Sequence, residues 1–69
     1  MIYVFKTSVK TKRQARALKP KIHSILPDAK SNFDLDDIDK ILRVESHLDA
    51  IGPIINLLRA YDFEYQELE

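Results

Sequence analysis

Two short runs, Ser31–Asp36 and Lys40–Glu45, face each other across an acidic turn at Asp37–Asp39. Each flank of this unit carries one helix-periodic segment and one further strand-like run. The order is therefore strand–helix–strand, turn, strand–helix–strand, and few folds accommodate it. In the first run Ala29, Ser31, Phe33 and Leu35 alternate with Lys30, Asn32, Asp34 and Asp36, the pattern of a strand with one buried face. In the second, Leu42 and Val44 point inward while Arg43 and Glu45 point outward, and Ile41 falls on the outer side. The intervening carboxylates suit a turn, because an Asp side chain accepts backbone N–H groups close by in the chain.

Upstream, Met1 to Val9 is β-prone and uncharged until Lys6. The face bearing Tyr3, Phe5, Thr7 and Val9 is expected to be the inner one, since Lys6 shares parity with Ile2 and Val4 and is costly to bury alone. Thr11-Lys12-Arg13-Gln14 is a capping-box pattern that opens a helix. Ala15, Leu18, Ile22 and Ile25, with Leu26 beside them, supply one apolar stripe at helical spacing. Pro20 lies inside that helix and predicts a bend, because it removes the bond to the Arg16 carbonyl. Pro27-Asp28 ends it. Downstream, Ser46 (with Asp49 as its partner) or Asp49 itself is expected to cap a second helix. Gly52-Pro53 sits in or near its first turn, and Ile51, Ile54 or Ile55, Leu58 and Tyr61 form its buried stripe. Asp62 breaks the period, and Phe63 to Leu68 alternates as a last strand.

Crossovers over one sheet face are right-handed, so two such units joined by a hairpin predict the ferredoxin-like β-α-β-β-α-β arrangement, an α+β fold. The expectation is a single domain over residues 1–69, with a four-stranded antiparallel sheet and both helices on one face. The other face is left open and carries Ile2, Val4, Ile41 and Arg43, with Gln66 nearby, as a candidate contact surface.

The absence of cysteine in the sequence removes disulfides, thiolate metal sites and cysteine nucleophiles. The chain has one glycine, Gly52, so no phosphate-cradling glycine loop exists. No nucleophile–base–acid spacing is present, and an enzyme is not expected; nor is any cofactor implied. No apolar run is long enough to span a bilayer, and the first residues lack the pattern of a signal peptide, so a cytoplasmic protein without a membrane partner is the expectation.

The formal net charge of zero conceals a division. Residues 1–30 hold eight Lys/Arg against one acid, a net +7, and residues 31–69 hold three against ten acids, a net −7. Mutual attraction of the halves within one fold is the simplest account of this split. The others are a protein partner, a second copy of the chain, or an anionic ligand held at the basic start of the first helix by Lys10, Thr11, Lys12, Arg13 and Arg16. Nucleic acid is not favoured: the protein is not net basic, its strands lack the aromatic-rich, glycine-containing motifs of the RNA-recognition version of this fold, and Arg43 and Glu45 occupy the middle of the third strand. His23 and His47, with Asp28 or Asp49 as a further ligand, could be proposed as a divalent-metal site, and nothing in their spacing requires one. The Asp34, Asp36, Asp37 and Asp39 cluster lacks the ligand order of a calcium loop.

Several features together resemble the heavy-metal-associated domain of copper chaperones and metal-transporting ATPases. They are the length, the element order, a helix opening directly after the first strand, Phe33-Asp34-Leu35 before the hairpin, and Tyr61-Asp62-Phe63-Glu64 between the second helix and last strand. The resemblance covers nearly the whole chain and implies the same ferredoxin-like fold. That family binds soft metals through a Gly-Met-x-Cys-x-x-Cys loop after its first strand. Here the loop is Thr7-Ser8-Val9-Lys10-Thr11-Lys12-Arg13-Gln14, and with Val9 in the methionine place, Thr11 and Gln14 stand where the cysteines would be. Neither is a soft ligand, and Lys10, Lys12 and Arg13 repel cations. The resemblance thus implies the family's shape with its metal site absent, and the reading it leaves is a non-catalytic interaction module, self-associating or docked on another protein.

Overall fold

The structure, a computed structural model, describes residues 1–68. Its elements are β1 (Ile2–Thr7), α1 (Lys12–Ile25), β2 (Lys30–Asp34), β3 (Ile41–Glu45), α2 (Ile51–Ala60) and β4 (Tyr65–Leu68). The strands form one antiparallel sheet in the order β2-β3-β1-β4. This is the ferredoxin-like arrangement: β3 and β1 are central, and β2 and β4 are the edges.

Register explains which face is buried. Phe5 stands opposite Leu42, and Leu42 opposite Phe33, so one row of apolar side chains crosses β1, β3 and β2 on the same side. Leu18 and Ile22 of α1 and Ile54 and Leu58 of α2 join Phe5, Leu42 and Val44 in a single core, which places both helices on that face. Val9, just beyond β1, is fully buried in the same core.

The capping box at the start of α1 forms as its sequence specifies. Thr11 Oγ1 accepts the N–H of Gln14 at 3.1 Å, and Gln14 Oε1 accepts those of Lys10 at 2.8 Å and Thr11 at 3.2 Å. The helix then runs unbroken through Pro20 to Ile25. Its buried stripe is Ala15, Leu18, Ile22 and Leu26, whereas Ile25 is 43% exposed. Steps of four residues from Leu18 lead to Leu26, and Ile25 is turned off the stripe.

The start of α2 departs from expectation. Neither Ser46 nor Asp49 is its N-cap. That position is Ala50, with no side-chain cap bond, while Asp49 Oδ1 accepts the Ile51 N–H at 3.0 Å and Ser46 Oγ accepts that of Leu48 at 3.1 Å. Both side chains close local turns ahead of the helix. Gly52-Pro53 falls in the first turn, where the missing Pro N–H would have had no intrahelical partner anyway.

The end of α2 is a Schellman turn: Phe63 donates to the Leu58 carbonyl at 2.9 Å and Asp62 to that of Arg59 at 3.1 Å. Asp62 takes the required left-handed conformation at φ 62°. Tyr61 is therefore the last residue before the turn and lies 45% exposed rather than in the stripe, with Lys21 Nζ 5.1 Å from its ring centroid. A second left-handed residue, Lys40 at φ 52°, explains why β3 begins at Ile41 and not at Lys40. Ahead of it Asp37 Oδ1 accepts the Asp39 N–H at 2.8 Å, the local turn expected of that acidic stretch.

Candidate functional site

The topology divides the basic run of α1. Lys12 and Arg16 lie one turn apart on the side of α1 that overhangs β2, and Lys19 continues the stripe another turn along. They form one side of an open groove of about 280 Å³, and its other side is the edge strand β2 and the chain just beyond it, from Asn32 to Asp36. By register Asp34 itself belongs to the row of Ile41 and Lys6 on the sheet's other face. Ala15, Phe33 and Leu35 form its apolar floor, with Asn32 at its side. The groove thus has a cationic helix wall, an apolar floor and a strand edge.

Lys10, Thr11 and Arg13 are not part of it. The backbone N–H groups of Lys10 and Thr11, and the Thr11 hydroxyl, are engaged in the capping box, and only the N–H groups of Lys12 and Arg13 are left free at the helix start. Thr11 and Gln14, the pair that the family resemblance aligns with metal-binding cysteines, therefore use their side-chain oxygens to cap α1.

The charged halves of the chain barely neutralise one another by contact. Among the described residues the one ion pair is Lys6–Asp39, at 3.3 Å and well exposed on both sides. A pair of that kind contributes about 0–1 kcal/mol, so it does not account for the division of charge. Lys12, Arg16 and Lys19 along the groove form no ion pair with any described residue.

The open sheet face is less apolar than its sequence promised. Ile2 is 61% exposed, Val4 is half-buried and Arg43 is exposed, but Ile41 is only 8% exposed and so adds little contact surface. By register Ile41 lies between Lys6 and Asp34, and Lys6 reaches past that end of the sheet to Asp39. Its long aliphatic stem is well placed to cover an apolar neighbour.

His23 on α1 and His47 between β3 and α2 are both exposed, and His47 meets Asp28 only through its backbone N–H, at 3.4 Å from Oδ2. Among the described residues no three His, Asp or Glu side chains converge to hold a metal ion. No described helix is long and apolar enough to cross a membrane.

No family model, curated protein or solved structure matches this chain. The site therefore rests on geometry alone. Sequence reasoning gathered Lys12, Arg16 and Lys19 into a run but did not join them to Phe33 and Leu35. The available signal was the spacing of 12, 16 and 19 on one helix face. That this face overhangs an edge strand depends on strand order, which no local pattern encodes.

Proposed function

We propose that this chain is a non-catalytic protein-interaction module of the cytoplasm, with the shape of a heavy-metal-associated domain and without its metal site. The groove between α1 and the edge strand β2 carries this reading. It combines an apolar floor with a wall of Lys12, Arg16 and Lys19 that has no ion-pair partner among the described residues, beside a strand with one side of its backbone unpaired. Such an edge is a template for association. The cysteine-free composition accords with a reducing compartment.

Paired affinity captures from the source cells test the reading. One bait is the native chain, one carries Lys12→Ser, Arg16→Ser and Lys19→Ser, and one carries Ile2→Ser and Val4→Ser on the open face. A partner retained by the first and third baits and lost with the second is the expected result. Retention by none, or equally by all, would overturn it.

A second reading, a small anionic ligand at the start of α1, has one observation in its favour. The first turn contains no acid, and the free N–H groups of Lys12 and Arg13 adjoin their own cationic side chains. Titration with phosphate-bearing metabolites should then shift the amides of residues 8–16, and unmoved amides would remove this alternative.

A further inference from the structure

We propose that the α1/β2 groove takes an acidic extended segment of another protein, which adds to β2 as a fifth strand and sets carboxylates at alternate positions against Lys12, Arg16 and Lys19. This rests on the interaction-module reading and names the chemistry of the partner.

The backbone of β2 comes first. Between β1 and β3, the Ser46 N–H donates to the Met1 carbonyl at 3.0 Å and the Thr7 N–H to that of Lys40 at 3.2 Å. Bonded pairs alternate along an antiparallel ladder, so Leu42 and Val44 turn their backbone groups to β1, and Ile41, Arg43 and Glu45 turn theirs to β2. Their partners there are Asp34, Asn32 and Lys30. Ser31 and Phe33 are left with N–H and C=O pointing out of the sheet, at an edge with no neighbouring strand. An extended segment laid along that edge satisfies these groups, the ordinary means by which a peptide joins a sheet.

The side chains set its composition. Phe33 shares its row with Leu42 and Phe5, so it faces the helices and is only half-buried. Every second residue of an added strand falls in that row, between the edge of the ring and α1. Lys12, Arg16 and Lys19 are exposed along this side and form no ion pair with a described residue. Lys12 and Arg16 stand about 6 Å apart along the helix axis, and alternate residues of a strand about 6.8 Å apart. Two acids with one residue between them therefore match the first two cations, and an apolar residue next in the same row covers Phe33.

Two other occupants fit less well. Two copies joined antiparallel through β2 set both α1 helices over the same face of the joined sheet, so their basic walls confront each other across the seam. A nucleic acid strand carries charge at every unit and meets Asp36, which also lines the groove. A peptide places its acids on one side only, and its backbone pairs with Ser31 and Phe33 as phosphates do not.

Selection on the immobilised full chain from a displayed library of random seven-residue peptides tests the proposal. The expected winners carry Asp or Glu at two alternate positions and an apolar residue of the same parity. A winner synthesised with blocked ends should bind more weakly as salt is added, because exposed charges are screened over roughly 8 Å at physiological ionic strength. Its affinity should fall by about tenfold or more for the chain carrying Lys12→Ser, Arg16→Ser and Lys19→Ser, the equivalent of about 1.4 kcal/mol or more. Ser31→Pro removes an N–H that faces outward, a place where an edge strand tolerates Pro, and should abolish binding while circular dichroism shows the fold intact. Should that variant fail to fold, N-methylation of the peptide replaces it. Methylating one alternate set of its amides should abolish binding, and methylating the other should leave it.

No winner, winners without alternate acids, or binding indifferent to Ser31→Pro and to both methylations overturns the proposal. A captured partner that still requires Lys12, Arg16 and Lys19 then leaves the interaction-module reading standing. A single-stranded oligonucleotide held more tightly than any winner overturns it as well, and so does a native chain that dimerises through β2.

Discussion

Thr7 is a polar side chain at the floor of the molecule, and its hydroxyl is fully employed. Oγ1 donates to the Lys40 carbonyl at 2.7 Å and accepts the Val9 N–H at 3.2 Å, so one group ties β1 to the turn before β3 and to the loop that leads into α1. Replacing it with the isosteric Thr7→Val keeps the packing but strands the Val9 N–H in a buried position. We expect a loss of about 1–3 kcal/mol, read as a lower urea midpoint with an unchanged slope. Asp62 is the opposite case. Its left-handed backbone is needed for the Schellman turn and strains any residue with a Cβ. Asp62→Gly should therefore raise stability by about 1 kcal/mol in the same measurement. In the sequence, Asp62 was visible as an interruption of helical period. That Lys40 does the same at φ 52° was not, because Lys has no preference for that conformation and is held there by its contacts: Nζ donates to the Leu35 carbonyl at 2.7 Å and the backbone N–H to that of Asp37 at 3.0 Å.

Helix α1 is legible along its whole length because its determinants lie within a few residues of each other. A Thr and a Gln three apart are enough to specify the capping box, and an apolar residue every three or four is enough to specify the stripe. Pro20 conflicts with both and is outvoted by them. It is exposed and well inside the helix, so its cost is not offset by packing. Pro20→Ala restores a bond to the Arg16 carbonyl and relieves the ring, and is expected to stabilise by about 1–3 kcal/mol, seen as a higher melting temperature. An unchanged or lower melting temperature would mean that the Pro ring holds contacts the helix needs. Helix α2 was less legible at its start. Ser46 and Asp49 are both good capping residues, yet each closes a turn of its own, and the helix begins at Ala50 without a side-chain cap. Competition between nearby hydrogen-bonding side chains has no local arbiter. Here the burial of Ala50 and Ile54 in the core decides where the helix starts.

At the scale of the whole molecule, the sheet joins segments distant in sequence. β1 lies between β3 and β4, so neither half of the chain completes the core without the other. Leu42 stands at the centre of that core, fully buried between Phe5 and Phe33. Leu42→Ala should cost about 2–5 kcal/mol. In a domain of this size that approaches the entire stability, about 5 kcal/mol at the lower end of the usual range. The expected outcome is a chain that is largely unfolded at 37 °C by circular dichroism; a cooperative melt close to the native one would show that the site repacks around the loss. The α1/β2 groove is a whole-molecule property in the same sense. Lys12 and Phe33 belong to different elements, and only the folded sheet sets them around one opening.

What this chain's sequence determines by itself is its set of elements and the inward side of each. Those depend on side-chain period and on caps, both of which are settled over a few residues. Strand order, the identity of β2 and β4 as edges, the covering of Ile41 and the placing of a basic helix face beside an edge strand were decided only by tertiary structure. A strand's alternation says which of its faces is dry, but not which strand lies beside it. That choice minimises exposed apolar surface over the whole chain at once, and the candidate site is one of its consequences.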